Sequence, residues 1–204
     1  MKISVICPSL LQSYDGSAPN RKQTFVRAVN SFLAQQHKQK ELIIASDGCG
    51  ATIEIVKRNW KHELKIGIIA LVELPPHELF TGAVRQAAID KASGDVICNL
   101  DTDDVFEPHH LLSIALNFGS ADWVYFNYWI EPYNLKAVRG LYNCDGTINT
   151  LNNGTIAWRH SLGVSWNECD GKFDNKKFCK KLLYFPNRKK IYGTGYICTN
   201  GQIV

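Results

Sequence analysis

The stretch "VRQAAIDKASGDVICNLDTDD" (residues 84–104) decides the fold. Its first part suits a helix over 81–91, with Gly94 just past the end as a C-cap. "DVICNL" (95–100) is a short apolar run that reads as a buried strand. Asp101, Asp103 and Asp104 then crowd together at the strand's end. Like charges that close repel one another, so a fold needs a reason to hold them there. A metal, a turn or simple solvation could each supply it. Carboxylate oxygens are hard ligands, and two of them suit Mg²⁺ or Mn²⁺ held jointly with substrate phosphates. Asp104 could instead cap a helix beginning near Pro108, where proline's missing N–H costs least. Three adjacent acids exceed what a cap needs.

Working outward, strands and helices alternate. "ISVIC" (3–7) is a buried strand closed by Pro8. Phe25, Ala28, Val29, Phe32 and Leu33 recur at helical spacing and predict a helix over 23–36. "ELIIAS" (41–46) is a second strand, ended by the turn "DGCG", and a helix over 52–60 follows. "LKIGIIALVEL" (64–74) holds a third strand, stopped by Pro75 and Pro76. "DWVYFNY" (122–128) is a fifth. This alternation predicts an α/β fold: a single three-layer α/β/α sandwich with a mainly parallel central sheet. Beyond Ile130 the pattern loosens, leaving polar turns, a helix over 175–183 and a strand near 196–198. In open parallel sheets ligands gather beyond the carboxyl ends of the strands. Those ends deliver Pro8 and Ser9, then Asp47 and Gly48, then the acidic triplet.

A chain of 204 residues suits one domain with a sizeable core. With 45% hydrophobic and 21% charged residues it reads as a soluble globular protein rather than a disordered one. No apolar stretch approaches the roughly 18 residues that span a membrane. The N-terminus reads as a strand, not a signal peptide. The seven cysteines are odd in number, scattered and free of CxxC pairs, which predicts a reducing, cytoplasmic setting with Cys7 and Cys98 as core residues. Asn153-Gly154-Thr155 fits a glycosylation sequon, which carries no meaning in such a compartment. The net charge is +4, and basic residues concentrate over 172–190. That cluster is either a solvated helix face or a patch for an anionic partner: nucleotide phosphates, an acidic acceptor, nucleic acid or a membrane surface. His109 and His110 sit in the first turn of an expected surface helix and, being adjacent, cannot both face one ion. The aromatic run over 122–133 is mostly core strand, with Trp129 and Tyr133, and separately Trp158, as candidate sugar-stacking platforms.

"ISVICPSL", "SFLAQQHKQKELIIASDGCG" and "VRQAAIDKASGDVICNLDTDD" together resemble the successive motifs of family 2 glycosyltransferases with the GT-A fold. The likeness covers roughly the first half of the chain, and its order and spacing are more specific than any single motif. It implies a nucleotide-sugar-binding half over 1–105 and an acceptor-binding half over 106–204. By resemblance, Pro8 and Ser9 line the base pocket, and Asp47 accepts a hydrogen bond from a uracil N–H. Arg85 and Thr102 lie near the nucleotide, Asp101 lies near the ribose, and Asp103 binds the metal, with Asp104 close by as the second metal candidate. Ser46 stands where the family has an acid, Cys49 where it has Ser, Gln86 where it has Asn, and Ala88 where it has Gly.

The resemblance further implies inverting transfer from a UDP-sugar with Mn²⁺ or Mg²⁺, to a glycan or polysaccharide precursor. Phe173-Asp174 stands where the family's second acidic motif begins a helix, so Asp174 is the candidate general base, with Asp170 and Glu168 as neighbours in competition. Alternatives of other classes are a DNA-base or other anionic acceptor reached through the basic cluster, and a non-catalytic sugar-nucleotide-binding module. A dehalogenase-type phosphatase would continue its Asp-x-Asp to Thr, where this chain has Val105 after Asp104. A nucleotidyltransferase would need a Gly-rich loop after the first strand, and the sequence has none there.

Overall fold

The computed structural model describes residues 1–14, 20–77, 82–131, 140–171 and 174–199. Thr81, Tyr133, Lys172 and Phe173, named above, lie outside that set. The elements run β1 (Ile3–Ser9), α1 (Arg21–Leu33), β2 (Lys40–Asp47), α2 (Gly50–Asn59), α3 (Lys61–Lys65), β3 (Ile69–Leu74), α4 (Gly82–Lys91) and β4 (Val96–Asn99). They continue with β5 (Val105–Phe106), α5 (His110–Asn117), β6 (Trp123–Phe126), β7 (Tyr128–Ile130), β8 (Gly140–Tyr142), β9 (Ile156–Arg159), α6 (Asp174–Leu182), β10 (Arg188–Ile191) and β11 (Tyr196–Cys198).

The main sheet has the order β10-β6-β9-β4-β1-β2-β3. The strands β3, β2, β1 and β4 are mutually parallel, as are β6 and β10, whereas β9 runs antiparallel to both of its neighbours. Successive side chains of a strand point to opposite faces, and both faces of this sheet are dry. Ile3, Val5 and Cys7 meet Phe25, Val29 and Phe32 of α1 and Leu111 and Ile114 of α5 on one side. Ile6, Ile43 and Ile97 meet Val84, Ala88 and Ile89 of α4 and Phe178 and Leu182 of α6 on the other. The result is the expected three-layer sandwich with a mainly parallel sheet.

A smaller sheet, β5-β11-β7-β8, stands beside it. The chain passes from one sheet to the other at Asn127, so the strand expected over 122–128 is two short strands. Asn127 holds the crossing: its Oδ1 accepts from the Cys144 amide at 3.0 Å, and its carbonyl accepts from the Thr194 hydroxyl at 3.4 Å.

The third strand lies within "LKIGIIALVEL" as expected, starting at Ile69, while the first residues of that stretch close helix α3. Other expectations are corrected. Gly94 does not take the left-handed conformation of a C-cap. It is small because β1 presses on it: an added Cβ would lie 2.6 Å from Ser4 Oγ, and its N–H donates to that oxygen at 2.8 Å. His110 does begin a helix that reaches the surface, where Leu116 is exposed, but His110 itself lies on its buried face. Its ring is fully buried, stacked on Phe106 with centroids 4.3 Å apart and edge-on to Phe126 at 5.1 Å. Burial pushes its pKa down to about 3, so it stays neutral. Trp158 is no open platform: it is 1% exposed and lies against Phe178 in the core. The Asn153 sequon is likewise buried, at 3% exposure.

Candidate active site

The parallel strands β2, β1 and β4 end at one edge, at Asp47, Ser9 and Asn99. Neighbouring strands lie about 4.8 Å apart, so the acid after β4 stands about 10 Å from the acid that ends β2. Because β9 is antiparallel, its beginning lies at this same edge. The turn before it, Asn153–Thr155, is therefore brought beside Asp101.

Asp101 is gripped from two directions. Arg85 Nη1 donates to its Oδ1 at 3.1 Å, and Asn153 Nδ2 reaches both oxygens, at 3.3 and 3.1 Å. The Arg85 guanidinium lies 4.9 Å over the Trp166 ring, and Trp166 is stacked on Phe178 of α6 at 4.1 Å with the planes 5° apart. Asp101 and Asp174 outweigh burial and hold the Arg85 charge firmly, with its pKa raised. Gln86 Oε1 accepts from the Trp166 amide at 2.8 Å, which ties the loop before α6 to α4.

Asp174 opens α6 and is 6% exposed. Burial pushes its pKa up, while Arg85 and the Asn175 amide, 2.6 Å from Oδ1, pull it down; Asp101 and Asp170 add to the rise. The structure thus brings Asp174 within electrostatic reach of Arg85 and Asp101. Its two competitors are differently employed. Asp170 Oδ1 accepts from the Gly82 amide at 2.7 Å at the start of α4, and Glu168 is exposed with a positive φ of 67°.

The three clustered acids are sorted by their surroundings. Asp104 is buried, and both oxygens are used inside the protein: Tyr196 donates its hydroxyl to Oδ2, and the Thr199 amide donates to Oδ1 at 3.1 Å. Burial, then Asp103 and Asp101, push its pKa well up. The expected second metal ligand is therefore an internal anchor in this geometry. The loop backbone is held at Asp103, whose carbonyl accepts from Arg27 Nη2 at 3.0 Å and from the Thr199 hydroxyl. Thr102 is buried at 5% exposure. Among the described residues no three His, Cys, Asp or Glu side chains form a cage for a metal. Hard carboxylate donors on one loop fit instead an ion that takes one or two protein oxygens and the rest from phosphate.

On the other side of β1, Asp47 Oδ1 accepts from the His77 amide at 2.8 Å and from His77 Nδ1 at 2.9 Å. Ser46 points inward and donates to the Cys49 carbonyl at 3.0 Å. Pro8 lies in register with Ala45, and the buried Ser9 hydroxyl shares a hydrogen bond with Thr52 at 2.8 Å. Sequence reasoning missed His77, Trp166 and Tyr196, for which the chain carries no local signal. It read Asn153 only as a sequon.

The basic cluster is largely tied down. Lys181 reaches the Ser165 and Asn167 carbonyls at 3.0 and 2.6 Å, Lys177 the Asp170 carbonyl at 2.6 Å, and Lys189 the Asn117 carbonyl at 2.8 Å. Arg188 covers Trp123. No helix among the described residues is long and apolar enough to cross a membrane.

Residues 17–156 match the family model described as Glycosyl transferase family 2. An uncharacterised glycosyltransferase of Nostoc sp. is 32% identical over 124 residues, covering 61% of this chain and 35% of the relative. The uncharacterised glycosyltransferase YwdF of Bacillus subtilis is 32% identical over 136 residues, covering 67% of this chain and 45% of its own length. The chain thus spans less than half the length of these curated relatives. Among solved structures, S. aureus TarS 1–349 in complex with UDP-GlcNAc superimposes with a TM-score of 0.74 at 18% identity, covering 98% of this chain and 58% of that one. The mannosyltransferase PcManGT from Pyrobaculum calidifontis, in complex with GDP-Man and Mn²⁺, gives 0.67 at 12% identity, covering 99% of this chain and 58% of its own. At those identities the likeness speaks for the fold.

Proposed function

The chain belongs to glycosyl transferase family 2, and we propose that it transfers a sugar from a UDP-sugar to an acceptor hydroxyl with inversion. One observation carries this reading: Asp47 at the end of β2, Asp101 and Asp103 on the loop after β4, Arg85 on α4 and Asp174 at the start of α6 gather at one edge of the sheet. No structural demand of the sandwich requires four acids there.

In this reading residues 1–105 chiefly bind the donor and residues 106–204 chiefly the acceptor. Pro8, Ser9 and Asp47 border the base, Thr102 and Asp101 the ribose side, and Asp103 offers a carboxylate beside the diphosphate. When bound there, Mn²⁺ or Mg²⁺ supplies neutralisation of the leaving diphosphate's charge. Arg85 sits between Asp101 and Asp174 and keeps their charges from opposing one another. Asp174 takes the proton from the acceptor hydroxyl as it attacks the anomeric carbon on the face opposite the diphosphate. Its raised pKa makes the carboxylate a better base than an exposed aspartate. The Trp166–Phe178 stack, with Trp166 tied to Gln86, holds α6, the helix that Asp174 opens, against the rest of the site.

The acceptor is a glycan or polysaccharide precursor in this reading. The exposed Lys176 and Lys180 on α6, the helix that Asp174 opens, favour a second reading in which the acceptor is anionic, nucleic acid included. Steep loss of acceptor binding with salt would support it, and salt-independent binding would remove it. The free cysteines support a cytoplasmic setting.

The deciding experiment is hydrolysis of a UDP-sugar with Mn²⁺, comparing the native chain with Asp103→Ala. We expect slow UDP release that the substitution lowers by about 10²–10³-fold. A native chain that binds donor without releasing UDP, with or without an acceptor, would be a binding module instead.

A further inference from the structure

We infer that His77 is a specificity-determining residue that positions Asp47 for a nucleobase edge presenting a ring N–H. This rests on the reading of Asp47 as the base-binding acid. The loops after β2 and β3 are pressed together: Gly48, at φ 58°, has no room for a side chain because an added Cβ would lie 2.7 Å from Pro76. That contact delivers the next residue, His77, to the Asp47 carboxylate. Two donors of His77, its amide at 2.8 Å and Nδ1 at 2.9 Å, then converge on the single oxygen Oδ1. For the ring to bond a carboxylate, Nδ1 must carry its proton.

Two donors on one oxygen stop the carboxylate from rotating and set the direction of Oδ2. An ionised carboxylate only accepts hydrogen bonds. A base with a ring N–H beside a carbonyl, as in uracil N3–H or guanine N1–H, satisfies a fixed Oδ2. Cytosine N3 and adenine N1 are acceptors and would face it lone pair to lone pair. The carboxylate is 9% exposed and the His77 ring 29%, so an unmatched base leaves the poorly solvated Oδ2 facing a lone pair instead of a donor. The turn does not need the ring for its own integrity. The Gly48 amide already donates to the Leu74 carbonyl at 3.0 Å, and Ser46 already closes onto Cys49 at 3.0 Å. The ring donor is therefore available for aiming Asp47. Ser46, inward-facing, offers no second carboxylate to share the task.

The test is calorimetric binding of UDP, GDP, CDP and ADP, at fixed Mg²⁺, to the full chain and to His77→Leu and His77→Asn. Leucine removes the ring donor; asparagine places an amide N–H close to where Nδ1 stands. The native chain should prefer UDP or GDP over CDP and ADP. His77→Leu should weaken the preferred diphosphate about tenfold and narrow the preference by a similar factor, as loss of one bond to a charged acceptor implies. His77→Asn should return to within about threefold of the native chain on the same grounds. Native affinity and preference in His77→Leu, or an Asn variant as poor as the Leu variant while its melting curve stays native, would overturn the inference and leave the donor reading intact. A native chain that binds none of the four would overturn the donor reading and the inference with it.

Discussion

The two acidic sites at the sheet edge are held in contrasting ways. Asp47 is fixed by a residue 30 positions away, on the loop of the very next strand. The Asp101–Asp104 loop is fixed by Arg85, 16 positions away, and by Arg27, Asn153, Tyr196 and Thr199, 52 to 96 positions away. A single carboxylate needs one local partner. Three carboxylates on one loop need their charges separated; the nearby Arg85 serves one of them, and distant parts of the chain bring the other partners. Arg85 offsets the charge of Asp101 and Asn153 donates to both its oxygens, while Tyr196 and Thr199 donate to the buried Asp104, so the acids cease to be equivalent. The price is that the loop's competence depends on the late strand β11 and on the turn before β9.

The largest way to break that contrast is at Asp174, itself held by the late part of the chain. Asp174→Asn keeps the shape and removes the proton acceptor. Transfer should fall by about 10³-fold or more while calorimetric donor affinity stays within about twofold. The native chain's kcat/KM for transfer should decline as pH falls through Asp174's raised pKa, above the usual carboxylate value of about 4. A variant that remains active would free Asp174 of the role. Next is Arg85→Met, which leaves Asp101 and Asp174 facing one another without a cation. Because Asp101 is 31% exposed, we expect a stability loss of about 2–3 kcal/mol by denaturant titration, below that of a fully buried pair. Equal stability would show that the two carboxylates do not oppose each other.

Tyr196→Phe sharpens the contrast directly, since it deletes one donor to Asp104 and little else. The expected cost is about 1–3 kcal/mol in stability, with Mn²⁺ needed at about tenfold higher concentration for half-maximal UDP release. An unchanged metal requirement would mean that Asp104 does not position Asp103. The smallest effect belongs to Lys189→Ala, on exposed β10 far along the chain. It should change stability by no more than about 0.5 kcal/mol by thermal melting, and a larger loss would give the basic cluster a structural role that its carbonyl contact does not suggest.

The first half was legible because its strands are buried on both faces and its helices on one. Those two burial patterns write distinct apolar periods into the chain, as in "ISVIC" and in Phe25, Ala28, Val29 and Phe32. Short or partly exposed strands leave no such mark. Gly140–Tyr142 of β8 is exposed throughout, and β10 reads "RKKI", whose Lys and Arg suggest a surface helix more than a sheet edge. His110 misled for a related reason: a polar residue in a helix's first turn looks solvated unless the aromatic rings around it, from Phe106, Phe126 and Tyr196, are known.

The sequence by itself therefore determined the sandwich, the strand ends and the acids they carry, since these follow from local apolar period and chain order. The tertiary structure alone decided which acid is anchored, which is paired and which element completes the edge. An antiparallel β9 turns Asn153 toward Asp101, and β11 lays Tyr196 beside Asp104. Strand direction and the partner of a charge are properties of contacts between distant segments, and no local spacing encodes them.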